Sequence, residues 1–196
     1  MDSRRLYCYS HSEFDEVMLA NGWTQFPGNG RVSTISICSE YDSDQDHWFD
    51  DNVVSNINLD FCDEDPLKWW PSGTDYDTLL DEYLANGYDD VNPEHNKFAH
   101  YDENGNIYTV MTYADAFRLV QWIDKRIAIY GAEFFIHCSA GKSRSQGVVR
   151  YILDTYPNIE WKTRQSNPCV TPNWHVVTML KRASQFNIIR DIVNIS

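Results

Sequence analysis

The spacing of apolar and polar positions changes along the chain, and each change predicts an element. Residues 5–9, Arg-Leu-Tyr-Cys-Tyr, predict a first strand. Ser10 and Glu13 stand at capping-box spacing, Phe14, Val17 and Met18 follow at helical spacing, and Asn21-Gly22 stops that helix. Residues 31–38 alternate apolar and polar and predict a second strand; residues 53–59 predict a third. Between these two lies an acidic loop containing His47, Trp48 and Phe49. Beyond Leu59, the run Asp60-Phe61-Cys62-Asp63-Glu64-Asp65-Pro66 leaves the sheet. Residues 75–84 predict a short amphipathic helix with Leu79, Leu80, Tyr83 and Leu84 apolar, stopped by Asn86-Gly87. Residues 98–101 and 107–110 flank Asn104-Gly105, a hairpin turn signal.

The second half is more strongly patterned. Thr112 and Asp115 form a capping box that opens what the pattern makes the longest helix. Ala116, Leu119, Val120, Ile123, Ile127 and Tyr130 are its expected buried stripe, with Gly131 as its cap. The apolar run 133–136 reads as a buried strand, and residues 146–153 as a helix ended by Pro157. Thr171-Pro172 supplies an N-cap and a first-turn proline for a last helix, along which lie Val176, Val177, Met179 and Leu180. This order predicts an α/β fold, a central, mostly parallel sheet flanked by helices. The 196 residues suit one domain over 1–196, with 64–110 as an acidic helix-plus-hairpin insertion too polar to hold a core of its own.

Charge and composition narrow the function. The net charge of −13 is uneven: residues 39–103 hold 19 acidic and 2 basic side chains, and the remainder nets +4. That balance disfavours nucleic acid as a partner. No run of 18 apolar residues predicts a membrane span, and the first residues lack the apolar stretch of a secretion signal. Five scattered cysteines, at 8, 38, 62, 138 and 169, show no zinc spacing, so reduced thiols and a cytoplasmic setting are expected. No metal or cofactor motif is present in the pattern, and nothing in it fixes an oligomeric state.

The chemistry gathers in His137-Cys138-Ser139-Ala140-Gly141-Lys142-Ser143-Arg144-Ser145, a small-residue loop between a predicted strand and a predicted helix. A strand-to-helix loop aims backbone N–H groups and the positive helix end at one spot, which suits an anion. A thiol at Cys138 facing that field ionises easily and becomes a nucleophile. Arg144 adds a planar fork that fits two oxygens of one phosphate. A nucleotide P-loop is excluded although Gly141-Lys142-Ser143 is present, because that motif needs a glycine at position 136, which is Ile.

His137-Cys138-x5-Arg144-Ser145, with Gly141 inside it, resembles the signature loop of the cysteine-dependent protein tyrosine and dual-specificity phosphatases. The resemblance extends over about residues 32–63 and 112–182, including Thr171-Pro172-Asn173 ahead of the last helix. It implies a phosphate-monoester hydrolase that works through a phosphocysteine intermediate, with a phosphorylated protein or peptide as substrate. Cys138 is then the nucleophile. The backbone of Ser139, Ala140, Gly141, Lys142, Ser143 and Arg144 is the cradle, and Ser145 is a donor to the sulfur. His137 is expected to order the loop by hydrogen bonding.

In the dual-specificity branch the general acid is an Asp just past a strand upstream of the signature. Residues 57–63 resemble that strand with Asp63 in the matching place; Asp60, Asp65 and Asp102 compete. Cys38 and Cys62 read first as buried, inert thiols. Some members of the superfamily protect the nucleophile by a disulfide, and on that second reading Cys38, on a strand expected beside that of Cys138, is the candidate partner, ahead of Cys62. Lys142 leaves a phosphoinositide or polyphosphate substrate open, and RNA 5′-triphosphatases share the superfamily. A catalytically weak phosphate-binding module is the alternative of a different class.

Overall fold

The computed structural model describes residues 4–22, 30–39, 55–68, 70, 72–86, 97–165 and 171–195. Its centre is a five-stranded sheet in which every pairing is parallel, in the order β3-β2-β6-β1-β7. The strands are β1 (Arg4–Ser10), β2 (Val32–Cys38), β3 (Asn56–Asp60), β6 (Glu133–Cys138) and β7 (Trp161–Gln165). A separate antiparallel pair, β4 (Ala99–Tyr101) and β5 (Ile107–Thr109), is the hairpin around Asn104-Gly105. Five helices accompany them: α1 (His11–Ala20), α2 (Tyr76–Asn86), α3 (Tyr113–Ile127), α4 (Arg144–Thr155) and α5 (Trp174–Ile195).

Both capping boxes form as their spacing requires. The Ser10 hydroxyl accepts from the Glu13 amide while the Ser10 amide donates to the Glu13 carboxylate, and Thr112 and Asp115 do the same for α3. In α3 the stripe Ala116, Leu119, Val120, Ile123 and Ile127 is buried against the sheet core. The helix stops there, however: Ala128 is its C-cap, Tyr130 is 67% exposed, and Gly131 occupies the turn into β6 with a positive φ of 69°. Tyr130 is therefore no part of the stripe. α5, at 22 residues, outlasts the 15 of α3. It begins two residues later than Thr171-Pro172 predicts, because Asn173 is the residue whose side-chain oxygen accepts from the Val176 amide.

Side chains alternate across the sheet, and that parity sorts the site. Leu6, Cys8, Ile35, Ile37, Ile57, Leu59, Phe134, Ile136 and Cys138 share one core, to which α3, α4 and α5 contribute. Trp70, Leu79 and Phe98, from the 64–110 stretch, join that same core. Tyr9, Val32 and Phe135 face the other way and pack with Phe14 and Met18 of α1. β7 is an unpredicted strand: Trp161-Lys-Thr-Arg-Gln is polar and lies on the sheet edge, where solvent removes the apolar pattern. Val53, Val54, His47, Trp48, Phe49, Gly87 and Cys169 lie outside the described residues.

Candidate active site

β6 lies between β1 and β2, so its last residue, Cys138, ends at the centre of the sheet and is only 2% exposed. The loop that follows is shaped by its carbonyls. Ser139 O accepts from the His11 amide (3.1 Å), Gly141 O from the Gln146 side-chain amide (3.2 Å), and Ser143 O from the amides of Gly147 (2.9 Å) and Asn173 (3.1 Å). In a trans peptide the N–H points opposite to the C=O before it. With these three carbonyls turned into the protein frame, the N–H groups of Ala140, Lys142 and Arg144 are turned the other way.

Two glycines permit this path. Gly141 has φ +65°, and a Cβ there would lie 2.6 Å from backbone atoms of Tyr9 and Ser10. Gly147 in α4 lets the start of α5 approach, since a Cβ there would meet the Asn173 carbonyl at 2.9 Å. α4 begins at Arg144, earlier than its apolar pattern predicts, so Arg144 and Ser145 occupy its first turn.

Arg144 is 5% exposed, and its Nη1 donates to the Phe61 carbonyl at 2.9 Å, tying the arginine to the segment after β3. The Ser145 hydroxyl lies 3.1 Å from the Cys138 sulfur, in position for the expected hydrogen bond. Ala140 and Lys142 are exposed, while Ser139 and Ser143 are half-buried. His137 is fully buried under α1, its ring stacked on Phe14 at 4.0 Å and edge-on to His11 at 5.2 Å.

Of the four candidate acids, Asp63 has its carboxylate hydrogen-bonded to the loop. Its Oδ1 accepts from the Ser143 hydroxyl (2.7 Å) and from Asn173 Nδ2 (2.8 Å), and the residue is exposed. Asp60 fails on parity. Ile37 is in register with both Cys138 and Leu59, whereas Asp60 pairs with Cys38 and points to the opposite face. Asp65 accepts from the Leu67 amide (3.1 Å) and so holds the 3-10 turn Pro66–Lys68. Asp102 is bound into its own hairpin by the Asn104 and Asn106 amides and the Asn106 side chain. Those donors, the Asn106 side chain foremost, hold its carboxyl at about 2, far from an acid's need for a proton near neutrality. A cavity of about 330 Å³ lined by Glu64, Lys68, His100, Asp102 and Tyr108 lies beside it.

The same parity corrects the expectation for Cys38. It shares the face of Ser36, whose hydroxyl lies 3.8 Å from its sulfur, and is turned away from Cys138. The sulfur linked to Cys138 through the Ser145 hydroxyl is that of Cys8 on β1, which donates to Ser145 Oγ at 3.2 Å and accepts from Gln146 Nε2 at 3.0 Å. Burial foremost, with the Cys138 charge adding, pushes the Cys8 thiol up to about 12. Cys8, Gln146, Phe61 and Asn173 are thus parts of the site that motif reading missed. Asn173 carried a signal, its place beside Thr171-Pro172; Cys8 and Phe61, and the Gln146 contact with Cys8, depend on register between distant segments.

Behind Asn173, His175 is buried between α2 and α5. Its Nε2 lies 2.8 Å from the Met111 carbonyl and its Nδ1 3.2 Å from the Tyr76 hydroxyl. Burial lowers the imidazole to about 4, which keeps it neutral and anchors the first turn of α5. Among the described residues no helix is long and apolar enough to cross a membrane. No protein-family model, no curated protein and no solved structure matches this chain.

Proposed function

We propose that this chain is a cysteine-dependent phosphate-monoester hydrolase of the protein tyrosine or dual-specificity type. The observation that carries the reading is the joining of three groups on one loop: Cys138 at its base, Arg144 at its end, and Asp63 bonded to its rim through Ser143. Nucleophile, anion cradle and proton source for the leaving oxygen are the minimum for the reaction.

The chemistry follows in two balanced steps. The Cys138 thiolate attacks phosphorus, the phosphorus–oxygen bond to the substrate breaks, and Asp63 gives its proton to the departing oxygen. Water then attacks the phosphocysteine, the Asp63 carboxylate takes a proton from it, and the sulfur–phosphorus bond breaks to restore the thiolate and release phosphate. Asp63 Oδ1 accepts two hydrogen bonds, which makes Oδ2 the oxygen for the proton transfer in this scheme. The loop N–H groups and the Arg144 guanidinium hold the equatorial oxygens, and the Ser145 hydroxyl steadies the sulfur when it leaves.

The test is hydrolysis of a small aryl phosphate by wild type and by Cys138→Ser, with acid-quench trapping of phosphoprotein. Wild type forms a phosphocysteine and turns over; the variant, still folded, does neither. Turnover that survives Cys138→Ser overturns the reading. Tight phosphopeptide binding without turnover by wild type replaces it with a binding module. Exposed Lys142 makes inositol polyphosphates the second substrate class for the assay, beside phosphotyrosine peptides.

A further inference from the structure

The bonds around Ser145 form a chain with one direction. The Gly141 carbonyl only accepts, so the Gln146 atom facing it at 3.2 Å is the amide nitrogen. That NH2 also donates to Cys8 Sγ at 3.0 Å. The Cys8 proton then goes to Ser145 Oγ at 3.2 Å, the Gly141 carbonyl at 3.9 Å being the longer alternative. A hydroxyl that has accepted this proton has its own to give, and Cys138 Sγ lies 3.1 Å away. A thiolate at Cys138, which only accepts, draws the Ser145 proton to itself, and the shorter Cys8 contact then delivers the Cys8 proton to Ser145 Oγ.

We infer that Cys8 and Gln146 are positioning residues that orient the Ser145 hydroxyl so that its proton always faces the Cys138 sulfur. The inference rests on Cys138 being the nucleophile, and it adds a device from β1 that the loop itself does not contain. A lone hydroxyl at Ser145 rotates among several acceptors. One that is already the acceptor of the Cys8 thiol loses that freedom and supports the thiolate in every molecule. Burial equips the Cys8 thiol as a donor, since it pushes that thiol up to about 12 and so keeps its proton in place. The same fixed donor serves again when the sulfur departs from phosphorus.

The experiment is the pH dependence of Cys138 alkylation by iodoacetate, read by peptide mapping, which needs no catalysis. Cys8→Ala is expected to raise the alkylation midpoint by about one pH unit, a roughly tenfold loss of rate below it. Cys8→Ser, which keeps a donor, restores most of the shift. In a Ser145→Ala background Cys8→Ala has no further effect, because its action passes through that hydroxyl. A midpoint unchanged by Cys8→Ala, or shifted equally by Cys8→Ser, or an additive double variant, overturns the inference. Should Cys8→Ala fail to fold, Gln146→Met replaces it, with a smaller rise expected and no rise overturning. A wild-type midpoint in the ordinary thiol range would instead sink the nucleophile itself, so the two failures are told apart.

Discussion

The two ends of the candidate site are built differently. The nucleophile end hangs from the middle strand of the sheet, Cys138 and Arg144 are buried, and three loop carbonyls are fastened to three different elements. The acid end follows the edge strand β3, and its Asp63 is exposed and held by two side-chain hydrogen bonds. The nucleophile's geometry is fixed by the backbone and costs little to keep. The acid's geometry is set by two contacts of about 1 kcal/mol each, within reach of ordinary thermal opening. In the proposed hydrolase, a firmly held cradle with a releasable acid would let substrate and product pass without disturbing Cys138.

The sharpest way to separate the ends is Asp63→Asn. Turnover of a phosphate ester with a poor leaving group is expected to fall roughly a hundredfold, and the decline of rate on the alkaline side disappears, because an amide has no proton to lose as pH rises. With a good leaving group the loss is small, since such an oxygen departs without protonation. Equal losses on both substrates would place the acid elsewhere.

Gly141→Ala attacks the other end. The added Cβ meets backbone atoms of Tyr9 and Ser10 at 2.6 Å in a left-handed conformation, for an expected loss of about 1–3 kcal/mol in denaturant unfolding together with most activity. Unchanged stability would show that the loop is softer than its bonding implies.

Asn173→Ala removes both the α5 cap and a donor to Asp63. It is expected to cost about 1 kcal/mol of stability and several-fold in turnover of the poor leaving group. Asn173→Ser restores the cap but does not reach Asp63, so it recovers stability and not rate. Recovery of both would reduce Asn173 to a helix cap. The smallest expected signal is no signal at all: peroxide followed by peptide mapping yields no Cys38–Cys138 bridge, because the two sulfurs lie on opposite faces of the sheet.

What could be read in advance follows the range of the interaction. Capping boxes at Ser10 and Thr112, five of the six stripe positions of α3 and the strand-to-helix loop at 139–143 are local patterns, and these stand where their spacing puts them. β7 was invisible because an edge strand needs no apolar face, and Tyr130 misled because helical spacing persists past the point where α3 ends. Asp63 was one of four acids until the register of β2 with β3 and β6 turned Asp60 away and the hairpin claimed Asp102. Cys8 could not be linked to Cys138 by any local rule, since the strand pairing that joins them spans most of the chain.

The position of β1 bears on how the molecule is made. During synthesis β1 leaves the ribosome long before its two sheet neighbours, β6 and β7, while β2 and β3 pair over a short connection as soon as both are out. Closing the β1–β6 pairing over so long a span carries a larger loop-closure cost than closing β2–β3. The sulfur network draws on β1, β6 and α4, and the acid's anchor on α5, so neither exists in a half-made chain. Until the chain extends to Asn173, the bonds around Cys138 and Asp63 cannot all be made.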